Sequence, residues 1–265
     1  MARIPIEIIT IGNIPSADVE KAISLANTIQ DEFRYQRLSE SESESFGMLA
    51  FRNVTVRDLF DRMEEIRTEI GGFHPFLIAL VDSRLQGKRY LNLFGSHRGA
   101  QGLAVVTVAG VESAIIPKGA MASYFLYYFA RYTLSFIVPG HRNHDDTRSC
   151  LFDRKVNKHE LLKSMRARSI CDECRKALLA EASPLSGPQL EALDKLIDLS
   201  GRLLDNDQRP ASPKEPDAKA KLLKVKKILD LKAQRRSRRP LKKSLPKSRS
   251  GANSAKMTCF LRPFP

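Results

Sequence analysis

The stretch Ala120–Val138 constrains the fold more than any other part of this sequence, because it is apolar and aromatic on every side. Its aromatic residues are Tyr124, Phe125, Tyr127, Tyr128, Phe129, Tyr132 and Phe136. A membrane-spanning helix needs about 20 predominantly apolar residues, but Arg131 and the four tyrosine hydroxyls would be costly in lipid. We therefore predict a helix buried inside a globular domain, ended by Pro139-Gly140, and no membrane span.

Strand and helix patterns alternate around this helix. Short apolar runs with β-branched residues predict buried strands at Ile4–Gly12, Phe76–Asp82 and Leu103–Gly110, and a further strand is expected at Met48–Phe51. Apolar residues at helical spacing predict helices over Ser16–Phe33, Thr55–Ile70, Arg175–Ala182 and Pro188–Leu204. This alternation predicts an α/β (α+β) fold with a small mixed sheet and packed helices.

The charge of the chain is confined to its last part. The formal net charge is +14, and residues 211–265 carry all of it, because their only acidic residues are Glu215, Asp217 and Asp230. The basic and acidic residues of 1–210 balance. We predict a domain over 1–182, an amphipathic helical extension over 183–207 and a basic, largely disordered tail over 208–265.

A group of cysteines and histidines follows the aromatic helix, as His141-x-x-His144, Cys150 and Cys171-Asp-Glu-Cys174. Two thiolates separated by two residues can hold a tetrahedral zinc ion from one turn, and ligands from a second segment complete its shell. Sulfur and imidazole suit zinc rather than magnesium or calcium. The pattern predicts a structural zinc bound by His144 and the three cysteines, with His141 as an alternative ligand. A redox pair is the competing interpretation of the CxxC motif.

The order of these features resembles the archaemetzincin family of zinc metalloproteases. Ile8–Gly12 resembles the opening strand of that family, and Tyr90–Gly95 resembles its segment ending in Phe-Gly. Cys150, Cys171 and Cys174 match its last three cysteines in order. The resemblance covers about residues 4–178 and implies a metzincin-like fold with a C-terminal, zinc-stapled helical subdomain.

The catalytic motif of that family, HExxHxxGxxH, is missing. Aligning its third histidine on His141 places the first histidine on Arg131, the glutamate on Tyr132 and the second histidine on Ser135. Such a mechanism needs three imidazoles around the metal and a carboxylate that takes a proton from the bound water. We therefore expect a catalytically inactive protein that acts by binding an unidentified protein partner. We also expect the guanidinium of Arg131 to take the place of the lost metal ion.

Two alternative functions remain open. His141, His144 and either Asp145 or Asp146 supply the ligand types of a metal-dependent hydrolase or peptidase. The basic tail could bind nucleic acid or an anionic surface weakly, through phosphate contacts alone, because no aromatic residue interrupts its charged part. Its candidate contact residues are Lys224, Lys226, Lys227, Arg235, Arg236, Arg238 and Arg239.

The cysteine usage indicates a reducing compartment. Four cysteines in a chain of 265 residues are too few for a disulfide scaffold. No secretory signal is recognised at the start of the sequence. We expect the protein to be cytoplasmic, with Cys259 as a free thiol in the tail.

Deleting residues 211–265 tests the nucleic-acid interpretation. If the tail carries the interaction, the deletion should abolish binding to RNA or DNA that weakens steeply with added salt, because the rest of the chain has no net charge. Filter binding over a salt series measures this. Binding that persists after the deletion would place the contact in residues 1–210.

Overall fold

The computed structural model describes residues 2–38, 53–71, 74–88, 93–112, 114–155, 160–180 and 183–207. All of these residues belong to one compact unit, Met1–Pro210. The expected strand Met48–Phe51 and the basic tail, with its candidate contact residues and Cys259, lie outside the described residues.

The centre of the unit is a five-stranded sheet in the order β2-β1-β4-β7-β6. Its strands are β1 (Ile4–Ile11), β2 (Phe33–Arg37), β4 (Leu77–Val81), β6 (Gly95–Arg98) and β7 (Leu103–Thr107). The pairs among β1, β2, β4 and β7 are parallel, whereas β6 pairs antiparallel with β7 at one edge. A separate pair of short parallel strands is formed by β3 (Asn53–Thr55) and β5 (Arg84–Gln86).

Helices cover both faces of the sheet. The helix α2 (Val56–Ile70) packs on one face, where Ile9, Ala79 and Val105 form one row across the central strands. The opposite face holds α1 (Ser16–Ile29) and α3 (Met121–Ile137), and its strand residues include Ile8 and Ile78. The predicted mixed α/β arrangement is therefore confirmed.

The aromatic stretch forms the predicted buried helix, α3. From Met121 to Phe136 every residue is buried except Arg131, which is half-buried. Two tyrosine hydroxyls in this helix donate to backbone carbonyls, Tyr124 Oη to Thr107 at 2.7 Å and Tyr127 Oη to Leu151 at 3.4 Å. Among the described residues, no helix combines the length and the apolar character that crossing a membrane requires.

Up to residue 207, where the described part of the chain ends, three helices follow α3: α4 (Glu160–Ala167), α5 (Asp172–Leu178) and α6 (Gly187–Asp207). The helix α6 packs on α3 and on α4. The contact between α3 and α6 is close, because Ser200 Oγ donates to the Ser123 carbonyl at 2.8 Å.

The predicted helix Ser16–Phe33 is too long. The helix α1 ends at Ile29, and the chain turns into β2, an element the sequence pattern did not indicate. Gln30 causes the change, because its side-chain amide accepts from the backbone N–H groups of Glu32 and Phe33 and donates to the carbonyls of Ala26 and Phe33.

Gly201 allows α6 to approach α4 closely. A Cβ atom at Gly201 would lie 2.6 Å from the carbonyl oxygen of Met165, which is too short for a non-bonded contact. A Cβ atom at Gly187, at the start of the same helix, would lie in open space.

Gly201→Ala is therefore expected to lower the free energy of unfolding by about 1–3 kcal/mol, the usual cost of overpacking. The general rule predicts the opposite sign, since Gly→Ala inside a helix normally stabilises by about 1 kcal/mol. Urea denaturation of Gly201→Ala, Gly187→Ala and the wild type measures the difference. A Gly201→Ala protein as stable as the Gly187→Ala control would show that the two helices lie farther apart.

Candidate metal centre

Three segments of the chain converge beside the C-terminal end of α3. The first is the ligand loop, residues 138–155, which contains His141, His144 and Cys150. The other two are the residues just before α5 and its first turn, which place Cys171 and Cys174. The backbone of Leu151 joins the first two segments, because its N–H donates to the Ser169 carbonyl at 3.0 Å.

The ligand loop is held by backbone bonds and by one buried carboxylate. The N–H of His144 donates to the Phe152 carbonyl, and the His144 carbonyl accepts from the N–H of Arg154, so the two ends of the loop lie side by side. The Oδ2 atom of Asp153 accepts from the N–H groups of Arg148 at 3.0 Å and Cys150 at 2.9 Å. These bonds fix the turn that presents the Cys150 thiol.

Four ligand atoms meet at one point. The thiol sulfurs of Cys150, Cys171 and Cys174 and a ring nitrogen of His144 all lie within 4.8 Å of one another. Nε2 of His144 lies 3.1 Å from Sγ of Cys171 and 3.0 Å from Sγ of Cys174. Zinc bonds of about 2.0–2.3 Å in a tetrahedron require spacings only slightly longer than these. The three thiols form no disulfide.

This donor set fits zinc. Three sulfurs and one imidazole are ligands that zinc prefers, and four of them complete its usual structural shell. The predicted cluster of His144 with three cysteines is thus present and can hold a zinc ion. The sequence alone identified these residues because cysteine spacing is a local signal.

His141 lies beside the cluster but is not one of the four converging residues. Its Nε2 is 3.2 Å from Sγ of Cys174, and its ring packs against that of Phe152 with the ring centres 4.2 Å apart. Burial, and then the neighbouring His144 and Arg131, lower the pKa of His141. A cavity of about 440 Å³ borders both histidines and Cys174, so the cluster has an open side.

Burial raises the pKa of the thiols of Cys150 and Cys174. Both thiols therefore stay protonated at neutral pH in the absence of a metal ion. A bound cation stabilises the thiolate form, so metal binding here must release protons.

The residues that the resemblance aligns with the archaemetzincin catalytic motif make contacts inside the fold. Tyr132 is buried, and its ring contacts His97 and Tyr128 with ring centres 5.6 and 5.5 Å apart. Ser135 Oγ donates to the Arg131 carbonyl at 3.0 Å. Arg131 donates to the carbonyl of Leu151 and to the side chain of Asn143.

The carboxylates of the alternative hydrolase site point to arginines. Asp146 pairs with Arg148 at 2.8 Å, and Asp145 pairs with Arg154 at 3.5 Å. Both aspartates are exposed. Within the described ranges, the group of converging ligand atoms contains neither of them.

A scan against protein-family models and a search of curated proteins both give no match to this chain. Solved structures do match. An archaemetzincin from Methanopyrus kandleri is 17% identical, with a TM-score of 0.46, over 67% of this chain and 94% of that chain. A zinc-dependent peptidase from Methanocorpusculum labreanum is 14% identical, with a TM-score of 0.45, over 65% and 99% of the two chains.

An archaemetzincin from Archaeoglobus fulgidus, complexed with malonate, is 13% identical with a TM-score of 0.42, over 65% of this chain and 99% of that one. This chain is similar to archaemetzincins. The resemblance that the motifs indicate thus reappears among solved structures, as a likeness of overall arrangement.

Residues that support the cluster were not indicated by the sequence pattern. Asp153 lies three residues after Cys150, and Lys155 lies two residues further on. Nζ of Lys155 donates to the carbonyls of Leu151 at 3.3 Å and Asp153 at 3.1 Å. Burial, and then the charge of Arg131, lower the pKa of Lys155 to about 6.

Lys155→Met is expected to raise the free energy of unfolding at pH 7. The unfolded chain binds a proton at Lys155 up to a pH of about 10.4, whereas the folded chain releases it near pH 6. Between these values the stability of the wild type should rise with pH, by up to about 1.4 kcal/mol per pH unit. The excess in the free energy of unfolding of Lys155→Met over the wild type should therefore become smaller from pH 6 to pH 9.

Urea denaturation at fixed free zinc over this pH range measures the difference. The control is Lys195→Met, which changes a lysine on α6 whose side chain is 51% exposed. Parallel pH curves for Lys155→Met and the wild type would contradict the lowered pKa.

Proposed function

We propose that this chain binds one zinc ion through His144, Cys150, Cys171 and Cys174, and that the ion is structural. The convergence of the four ligand atoms within 4.8 Å is the observation that carries the proposal. The ion would tie the ligand loop to the start of α5, reinforcing the backbone hydrogen bond from Leu151 to Ser169. In this role zinc supplies free energy of folding rather than a reactive water.

The protein acts by binding and not as a peptidase. Arg131, with its permanent charge, stands at the position aligned with the first catalytic histidine. Tyr132 and Ser135 provide no carboxylate or imidazole at the other aligned positions, and Tyr132 is buried. A metal-bound water would have neither its three-imidazole site nor a general base in this part of the fold.

The free thiols support a reducing compartment, and we place the protein in the cytoplasm. Its partner is a protein, and the tail with the net charge of +14 adds a weak, salt-dependent attraction to polyanions.

Metal analysis of matched variants tests the zinc site. The wild type should contain about one zinc per chain, since four ligands complete one shell. Cys171→Ser should lose most of this zinc and unfold at a lower temperature, whereas Cys259→Ser, which changes the cysteine of the tail, should keep both properties. His144→Ala should lose zinc as Cys171→Ser does, while His141→Ala keeps most of it.

Elemental analysis after dialysis and thermal unfolding with and without a chelator measure these outcomes. Full zinc content and normal folding in Cys171→Ser would overturn the assignment. A second, exchangeable metal together with peptide turnover that depends on Asp145 or Asp146 would favour the hydrolase instead.

A further inference from the structure

Arg131 is the one residue between Met121 and Phe136 on α3 that is not fully buried. Its side chain leaves the helix toward the ligand loop. A charged side chain in the middle of a buried helix needs partners for its N–H groups, because an unpaired one would be costly there.

The two guanidinium nitrogens reach the neighbours of two zinc ligands. Nη1 donates to the carbonyl of Leu151, the residue after Cys150. Nη2 donates to Oδ1 of Asn143, the residue before His144, at 2.9 Å. One side chain thus contacts the ligand loop both just before His144 and just after Cys150.

The contact with Leu151 adds a further hydrogen bond to the residue that follows Cys150. The Leu151 N–H already donates to Ser169, two residues before Cys171. Arg131 holds the carbonyl of the same residue from the other side, and Tyr127 Oη also lies 3.4 Å from that oxygen. The position of the Cys150 thiol is therefore set from α3 as well as from the segment that carries Cys171.

The ring of Phe152 adds a second contact between Arg131 and the cluster. The guanidinium carbon lies 5.9 Å from the ring centre, within the range of a cation–π interaction. The ring of His141 also packs against the ring of Phe152. The ring therefore links the guanidinium to the imidazole beside Cys174.

We propose that Arg131 is a positioning residue of the zinc site, holding Cys150 and His144 in place before the metal binds. The proposal rests on the proposed function, since it requires that these residues bind zinc. Arginine suits this role because its planar fork presents donors in two fixed directions, which the single ammonium group of lysine cannot do. The side chain acts through Leu151 and Asn143, whose oxygen atoms accept from it.

Zinc affinity and the spectrum of the cobalt-substituted protein test this role. Arg131→Gln removes the charge and one branch of the fork, and should weaken zinc binding about 10–100-fold, the usual effect of losing a residue that orients metal ligands. Arg131→Lys should lie between Arg131→Gln and the wild type. Asn143→Ala removes one partner only and should weaken binding less than Arg131→Gln does.

Arg37→Gln is the matched control. Arg37 also joins separate elements through two nitrogens, donating to Ser16 on α1 and Thr10 on β1, each at 3.0 Å. Its replacement should lower thermal stability while leaving zinc affinity and the cobalt spectrum unchanged. Chelator competition with a zinc indicator gives the affinities, and the visible absorption of bound Co²⁺ reports the ligand geometry.

The outcomes separate this proposal from the proposed function. A wild type that binds neither zinc nor cobalt would overturn both. A wild type that binds zinc, with unchanged affinity and an unchanged cobalt spectrum in Arg131→Gln, would overturn the role of Arg131 alone. If Arg131→Gln does not fold, Arg131→Lys and Asn143→Ala decide, and wild-type affinity and spectrum in both would overturn it.

Discussion

Complete burial of α3 is the constraint on which the rest of the structure depends. A helix that is apolar and aromatic all round has no face to offer to water, so it must be covered on one side by the sheet and on the other by α6. The tyrosines restrict the position of the helix further, because each buried hydroxyl needs a hydrogen-bond acceptor at a defined place. The Tyr124 hydroxyl, for example, donates to the carbonyl of Thr107. Burial of apolar side chains supplies most of the free energy that holds α3 in the core, and the hydrogen bonds of the tyrosine hydroxyls select one position of the helix.

The candidate metal centre depends on the same helix. The ligand loop starts where α3 ends, and Arg131 projects from the helix into that loop. Asp153 and Arg131 hold the loop from opposite sides, through the backbone N–H of Cys150 and the carbonyl of Leu151. The convergence of the four ligands therefore follows from the packing of the core.

The sequence predicted the parts of this architecture that leave a local signal. The strands β1, β4 and β7, the helix α3 and the zinc cysteines are of this kind, because apolar density and thiol spacing can be read within one segment. The strand β2 was missed because the end of α1 depends on four bonds made by Gln30. The strand β6 has only four residues, all half-buried, and it exists through its pairing with β7. The contacts of Arg131 join residues up to 20 positions apart, so no local pattern indicates them.

The spacing of the four ligand residues has a thermodynamic consequence. His144 and Cys174 are 30 positions apart in the sequence. A single ion bound by both residues would connect the two ends of that segment. Because the unfolded chain does not hold these ligands together, the ion binds the folded state preferentially, and mass action couples folding to the zinc concentration of the surroundings. Scarcity of the free ion would thus loosen the end of the molecule that follows α3, while the face of the sheet under α2, whose core cluster contains none of these ligands, would be affected least.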